Sequence, residues 1–270
     1  MDKTFTFDNN IRSFDRYKID TSVITIIGEI HDSLGESNIT KYIQNINNTD
    51  DTIVFLELDT KSVDDKIYMK GINSSTIKDV IKKFRDDRIY YFDNRNEFLG
   101  GEGHFQLYYA DIKKLNMNWY IDKYQRHYRN IPNYVKARHN VLNENIEKYN
   151  SLYSFINNPG VNREQIINNL EQFRKPLVES FREFWANVVD ENLIQMILKI
   201  NESKPDAKFE FIVIAGLQHA RYLNQRFTEM NLQHLSSNYT ENDNNIQINY
   251  RADAFWDDPE MKLMDLPKLP

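Results

Sequence analysis

Three runs of apolar, largely β-branched residues stand out from the mixed pattern of the chain. They are SVITIIG at residues 22–28, TIVFLELD at 52–59 and KFEFIVIAG at 208–216, and RIYYFDNR at 88–95 is a weaker fourth. Unbroken apolar runs of this length, bounded by glycine or by charged residues, are typical of strands buried on both faces of a parallel sheet. The pattern therefore predicts a central, mostly parallel sheet.

Apolar residues recur with the helical period between and after these runs. Short helices are predicted at residues 37–46 and 74–85, and a long block at 106–202 has helical periodicity without strand character. Pro176 lies inside this block and is expected to kink or split its helix, because proline cannot donate a backbone hydrogen bond. Strands alternating with helices indicate an α/β fold with flanking helices and a large helical insertion or cap.

The same pattern divides the chain into three parts. Residues 1–105 and 206–250 are expected to form the α/β core, and residues 106–205 a helical insertion between its strands. A short alternating strand is predicted at 246–250. Residues 251–270 contain several prolines and acids and are expected to form an extended C-terminal arm. A cap over a sheet edge commonly forms a pocket, so function is expected at that edge.

Composition removes several classes of chemistry. The 270 residues include no cysteine, which excludes disulfides, zinc–thiolate sites, cysteine nucleophiles and thiol redox chemistry. No apolar run reaches the roughly 18 to 20 residues of a membrane span, and the start of the chain does not resemble a signal peptide. We expect a cytoplasmic protein without a membrane span. The abundance of Asn, Ile and Lys is typical of AT-rich genomes, and for a viral source the location would be host cytoplasm or virion.

The first strand run leads directly into GEIHD at residues 28–32. Open α/β sheets bind their ligands at the carboxyl ends of the strands. Glu29 and His31 are two positions apart, and in extended backbone this spacing puts both side chains on one face. A carboxylate and an imidazole are therefore expected to converge beside the sheet edge. A loop acid with an exposed histidine is the alternative.

The last strand run ends in AGLQH at residues 215–219, so a second strand end carries Gly-x-x-His. His219 enters the first turn of the helix that follows. A third copy, GEGH at residues 101–104, is predicted to lie in a glycine-rich loop, and placement after a strand therefore matters more than the number of copies. Because parallel strands point the same way, His31 and His219 are expected to lie close in space, although they are 188 positions apart.

Acidic and basic residues follow the other two strand runs. Glu57 lies near the end of VFLELD, where a carboxylate between two covered faces needs a cation, unless it reaches solvent or pairs with a nearby arginine. Asp93 and Arg95 repeat the two-residue spacing at the end of the weaker run. They form either a structural ion pair or a clamp for substrate.

Two histidines with carboxylates, and no cysteine, make a nitrogen and oxygen ligand set. Such a set suits zinc, manganese, cobalt or iron in an open site that also binds water. A metal of this kind lowers the pKa of its bound water toward about 7 and polarises a carbonyl group, which makes hydrolysis the natural reaction. A metal-free alternative uses His31 as a general base that Glu29 orients.

The three motifs together resemble a known superfamily. GEIHD after the first strand, FLELD on the second and AGLQH after a late strand are similar to the superfamily of Tiki proteases, TraB proteins, erythromycin esterases and ChaN-like haem-binding proteins, and GEIHD is closest to the ChaN-like branch. The resemblance covers the α/β elements only. It implies a compact α/β core with helical additions and a site at His31, Glu57 and His219, with Glu29 and Arg95 beside it. Activities in the superfamily include metal-dependent peptide cleavage, ester hydrolysis and haem binding.

The segment from residue 113 to residue 139 differs in charge from the rest of the chain. It has seven Lys or Arg and one Asp, a local charge of +6 in a chain whose 34 Lys and Arg and 40 Asp and Glu give −6. Such a segment could receive phosphates, haem propionates or an acidic substrate tail, or it could be a solvated helical face that acids elsewhere balance. His127 and His139 are predicted to lie in its helices. His234 is expected at the surface, in a polar turn.

The leading functional hypothesis is a metal-dependent hydrolase of peptide or ester bonds. Its catalytic residues would be Glu29, His31, Glu57 and Arg95, and its metal ligands His31, Glu57 and His219. The metal would be Mn, Co or Zn and the substrate a small molecule or a peptide; no nucleic acid is expected. One alternative is a protein that binds haem or another anionic ligand in the same cleft. Another is a catalytically silent structural or virion protein, for example a homo-oligomer.

Overall fold

The computed structural model describes residues 11–29, 51–58, 81, 86–156, 158, 160 and 162–239. The strands are β1 (Ile11–Ile19), β2 (Ser22–Glu29), β3 (Thr52–Leu56), β4 (Ile89–Tyr91), β5 (Glu210–Gly216) and β6 (Gln233–Tyr239), and the helices are α1 (Arg95–Tyr109), α2 (Met117–His127), α3 (Asn133–Arg138), α4 (Asn140–Ser154), α5 (Arg163–Ser203) and α6 (Leu217–Glu229). Several predictions fall outside the described residues: His31, the helix at 37–46, all but residue 81 of the helix at 74–85, the strand at 246–250 and the arm at 251–270.

The six described strands form one mixed, mostly parallel sheet in the order β4-β3-β5-β2-β1-β6. The pairs β3–β4, β3–β5 and β2–β5 are parallel, whereas β1 is antiparallel to both β2 and β6. All five residues of β3 are buried, as a strand covered on both faces requires. The predicted α/β fold with a mostly parallel sheet and flanking helices is confirmed, and the three strong apolar runs form its centre.

The sequence pattern does not predict the two antiparallel strands. In β1, Phe14 and Tyr17 are buried, but Asp15 lies between them and is fully buried too. A buried acid breaks the apolar signal by which strands are recognised. β6 has the sequence QHLSSNY and lies at the edge of the sheet, where polar residues are common. His234, expected in a turn, belongs to this strand.

Most of the helices come from the chain between β4 and β5. α5, the longest at 41 residues, begins where the Asn162 side chain accepts a hydrogen bond from the Gln165 amide. It continues through Pro176 as one element, so of the two effects expected of this proline, a kink or a split, the split does not occur. Leu177 and Val178 are fully buried directly after the proline, and their packing holds the helix together there. None of the described helices is both long enough and apolar enough to cross a membrane.

Two clusters of buried apolar side chains meet along α5. Its first part, with residues such as Phe181 and Trp185, packs with the other helices of the block. Its last part, with residues such as Val189, Leu193 and Ile197, packs against the sheet and α6. The first part of α5 therefore belongs to the helical core and its last part to the core of the sheet. The residues at the boundary between the two parts lie beside the ends of the strands.

Candidate functional site

The carboxyl ends of the parallel strands lie at one edge of the sheet, where backbone hydrogen bonds fix the residues that follow them. The amide of Glu57 donates to the carbonyl of Ile214 at 3.1 Å, and the amide of Asp93 donates to the carbonyl of Leu58 at 3.2 Å. The ladder thus continues past the ends of β3 and β4. This is the edge at which open α/β sheets bind ligands.

The two strands that carry Gly-x-x-His are direct neighbours. Gly28 pairs with Ala215 and Glu29 with Gly216 in the parallel β2–β5 ladder. The two strands are therefore adjacent, and the expectation that they point the same way is confirmed. The distance between His31 and His219 stays a prediction, because His31 lies outside the described residues, and of Glu29 only the backbone is described.

The centre of the site is a chain of three side chains, Glu57, His219 and Asp190. Nε2 of His219 lies 3.1 Å from Oε1 of Glu57, and Nδ1 lies 2.7 Å from Oδ1 of Asp190. The amide of Gly216 donates to Oε2 of Glu57 at 2.6 Å. Both nitrogens of the imidazole therefore face carboxylate oxygens, and the peptide that begins α6 holds one of those carboxylates.

Arg95 connects this chain to Asp93. Its Nε and Nη2 atoms donate to the two carboxylate oxygens of Asp93 at 2.8 and 2.7 Å, a bidentate ion pair. Nη2 also lies 3.3 Å from Oε1 of Glu57. The guanidinium stacks on Tyr108, with Cζ 4.8 Å from the centre of the ring. Arg95 therefore forms a structural ion pair with Asp93 and also lies next to Glu57.

The surroundings shift the pKa of the site groups in opposite directions. Burial opposes the protonation of His219, but the charges of Asp190 and Glu57 outweigh burial and raise its pKa to about 10. Burial raises the pKa of Asp190 to about 6, although the His219 charge limits the rise. For Asp93, burial is outweighed by Arg95, so its pKa is lowered. In this arrangement His219 is an imidazolium held between carboxylates.

The structure brings together three of the predicted site residues, Glu57, Arg95 and His219. Asp190 completes the site and was missed, because helical periodicity does not tell which acid of a helix faces a sheet. One signal was present: Asp190 and Glu191 are adjacent acids inside the long apolar run FWANVVDENLIQMI, and both are about 1% exposed. Acids in such a run are buried and need partners.

Within the described part of the chain, no three His, Asp or Glu side chains are arranged to hold a metal ion together. Glu57 and His219 supply two neighbouring donor atoms, and a third ligand would have to come from elsewhere. His31 is the candidate that the sequence offers.

The histidines of the basic segment do not belong to this centre. His139 is buried at the junction of α3 and α4, and its Nε2 lies 2.9 Å from the side-chain nitrogen Nδ2 of Asn187. His127 packs edge-on against Phe98. Arg126 pairs with Asp122 at 2.7 Å inside the segment, so part of the local positive charge is balanced there.

The third Gly-x-x-His copy was predicted to lie in a loop, and this prediction is wrong. The motif lies inside α1. There, Nδ1 of His104 lies 2.9 Å from Oδ1 of Asn96.

Comparisons with protein-family models, with curated proteins and with solved structures find no match for the chain. The chemistry of the site is therefore inferred from its own residues.

Proposed function

We propose that the protein is a hydrolase of peptide or ester bonds that uses a divalent metal ion held by Glu57 and His219. The observation that carries the proposal is the chain Glu57–His219–Asp190, placed where the parallel strands of an α/β sheet end. It gives the protein two potential metal ligands and a carboxylate behind one of them.

The separation of the two donor atoms suits a shared ion. Nε2 of His219 and Oε1 of Glu57 are 3.1 Å apart. Two ligands at about 2.1 Å from a tetrahedral ion lie about 3.4 Å from each other, so only a small shift is needed. Metal-binding histidines commonly donate their other N–H to a carboxylate, which fixes the tautomer and the ring orientation. Asp190 has this position at Nδ1 of His219.

The charge balance of the described site favours a cation. Glu57, Asp93 and Asp190 are three largely buried carboxylates, and Arg95 is the one guanidinium among them. With His219 protonated, these described groups have three negative charges against two positive. An imidazolium does not bind a metal, so a divalent ion would displace the Nε2 proton of His219, and the charges of these groups would then balance. The excess of negative charge without the ion disfavours an anionic ligand such as haem, so haem binding is the second hypothesis.

The residues of the chain would have distinct tasks. When bound, the ion would lower the pKa of a water toward about 7 and polarise the substrate carbonyl. Asp190 orients His219, and the Gly216 amide together with Arg95 holds the Glu57 carboxylate in place. The fixed positive charge of Arg95, 3.3 Å from Glu57, would also stabilise negative charge that develops on the substrate carbonyl oxygen. In the metal-free version of the reaction, His31 would be the base that Glu29 orients.

The test combines metal analysis with a substrate panel. Protein purified without chelators is analysed for Zn, Mn, Co and Fe and assayed on ester and peptide substrates, and His31→Ala, Glu57→Gln and His219→Ala are compared with the parent. We expect about one metal per chain in the parent, loss of metal and activity in the variants, and no loss in the control His234→Gln on β6. Variants that bind metal and hydrolyse substrates like the parent would overturn the proposal. Haemin absorbance without hydrolysis would favour the second hypothesis, and a stable oligomer with neither property would favour a structural protein.

A further inference from the structure

Helix α1 contains a sharp break at Gly100. The φ and ψ angles of this residue are 69° and 155°, outside the helical region, while the residues on both sides are helical. In a straight helix, positions 96 and 104 are separated by about 12 Å along the axis, because each residue rises about 1.5 Å. Yet Nδ1 of His104 lies 2.9 Å from Oδ1 of Asn96. The break therefore folds the second half of α1 back and returns His104 to the first turn.

Two glycines of the segment are required for this shape. Gly100 has a positive φ, which residues with a side chain rarely adopt. At Gly103 a Cβ atom would collide with the ring of Trp119. At Gly101, by contrast, φ is not in the left-handed region and a Cβ would meet nothing within 4 Å. The backbone is thus shaped at two specific positions, and the third glycine offers a control.

The folded-back position puts His104 beside the candidate site. Its ring packs edge-on against Tyr108, with the ring centres 5.2 Å apart, and the guanidinium of Arg95 stacks on that same tyrosine. The charge of a protonated His104 is also among the interactions that lower the pKa of Asp93. His104 is partly exposed, whereas Asp93 and Arg95 are buried. His104 therefore lies between the buried charged groups of the site and the solvent.

A hydrolase needs a group that protonates the leaving group, and the described residues around Arg95 offer few. His219 is held between two carboxylates, and Arg95 does not release a proton at working pH. The hydroxyl of Tyr108 donates to the Arg182 carbonyl at 2.9 Å, and burial raises its pKa. His104 carries an imidazole, the side chain that most often transfers protons in enzyme active sites.

We propose that His104 is the general acid of this site, contacting the leaving group of the substrate. The inference rests on the proposed hydrolase function. Because Oδ1 of Asn96 accepts, Nδ1 of His104 carries a hydrogen, and Nε2 is the atom that gives up and regains the proton. As the water oxygen bonds to the carbonyl carbon and the bond to the leaving group breaks, the Nε2 proton passes to the leaving nitrogen or oxygen. The attacking water gives up one proton to solvent as its oxygen becomes part of the carboxyl group, and the neutral imidazole takes one proton back from solvent.

A leaving-group comparison tests this role. Two esters with the same acyl group are used, a para-nitrophenyl ester, whose leaving group needs no proton, and an ethyl ester, whose leaving group does. We expect His104→Gln to lower kcat on the ethyl ester by roughly 10² to 10⁴, the range of general acid catalysis, and to leave the para-nitrophenyl ester nearly unchanged. Gly100→Ala should produce the same selective loss, and Gly101→Ala should not.

Metal content and melting temperature of each variant show that site and fold are intact. Equal losses on both esters would assign His104 a structural role, and no loss on either would remove it from the reaction; each result overturns the inference while the proposed function stands. A parent protein that hydrolyses neither ester nor any peptide overturns the proposed function itself, and the acid role with it.

Discussion

Oδ1 of Asp190 lies 2.7 Å from Nδ1 of His219, and the two residues come from different parts of the fold. His219 follows β5 in the α/β core, whereas Asp190 belongs to α5, which starts in the helical block. The helical segment therefore does more than cover the sheet edge. It supplies the carboxylate that fixes the orientation and charge of the imidazole in the site.

Replacing this carboxylate should weaken metal binding without removing a ligand. In Asp190→Asn the side chain keeps its shape but loses its charge, so His219 is oriented less firmly and its pKa falls from about 10. Loss of such a supporting partner typically costs 10- to 100-fold in metal affinity. Metal titration and histidine NMR over pH measure the two effects.

The neighbouring acid provides the control for this variant. Glu191 is also buried, but it accepts a hydrogen bond from Nε of Arg226 at 2.6 Å and has no contact with His219 among those described. Glu191→Gln should therefore leave the His219 titration and the metal affinity unchanged. If both variants weaken metal binding equally, the effect comes from general loosening of α5 and Asp190 has no specific role.

The parts of the fold that could be predicted are those that a local pattern of residues in the sequence marks. The central strands are continuous apolar runs, and Glu57, Arg95 and His219 follow such runs at once, so their convergence was predictable from strand direction alone. β1 was missed because Asp15 is buried within it, and its partner Asn224, with Nδ2 2.6 Å from Oδ2 of Asp15, lies 209 positions away. A contact of that separation leaves no trace in local periodicity.

The role of Asp190 and the break in α1 could not be predicted for related reasons. A helix of 41 residues presents acids on every side, and only packing selects the one that faces His219. Around His104, the glycines suggested a loop, because glycine is a poor helix former. In the structure they allow a helix to bend sharply at one residue and continue.

Removing the charge of Arg95 should destabilise the protein strongly. Arg95→Met keeps most of the side-chain volume but leaves the buried Asp93 carboxylate without its bidentate partner. Breaking one side of a buried ion pair typically costs about 3–5 kcal/mol. Urea denaturation measures the change in the free energy of unfolding.

A second substitution tests the origin of this loss. Adding Asp93→Asn to Arg95→Met removes the orphaned charge, so the double variant should be more stable than the single variant. A double variant that loses the sum of the two single effects would contradict the ion-pair explanation.

His139 should make the folded state sensitive to mild acid. Burial, with a contribution from Arg138, lowers its pKa to about 4, against about 6.5 in the unfolded chain. Between these values the unfolded state binds a proton that the folded state does not, so the free energy of unfolding falls as the pH falls. The stabilisation is complete above pH 6.5 and is lost toward pH 4, by about 3 kcal/mol. Urea denaturation at several pH values measures it.

The matched variants are His139→Gln and His234→Gln. The first should flatten the dependence between pH 6.5 and 4, because glutamine accepts from Asn187 without titrating. The second changes a histidine of β6, whose Nε2 lies 3.6 Å from Oδ1 of Asp15, and should keep the part of the slope that His139 causes. An unchanged slope in His139→Gln would mean that other groups cause the acid sensitivity.

Replacing Gly28, the first residue of GEIHD, should destabilise the protein for a packing reason. A Cβ atom at this position would collide with Oγ of Ser13 and approach Cβ of Ala220 to 2.9 Å. Ala220 follows His219 at the start of α6, so Gly28→Ala must push that helix away from the sheet or strain β1. Overpacking of this kind typically costs about 1–3 kcal/mol. We expect a lower melting temperature together with weaker metal binding, because His219 moves with its helix.

Gly101→Ala, where a methyl group meets open space, is the control and should match the parent in both measurements. A Gly28→Ala protein that melts lower but binds metal like the parent would show that β1 absorbs the strain and that α6 stays in place.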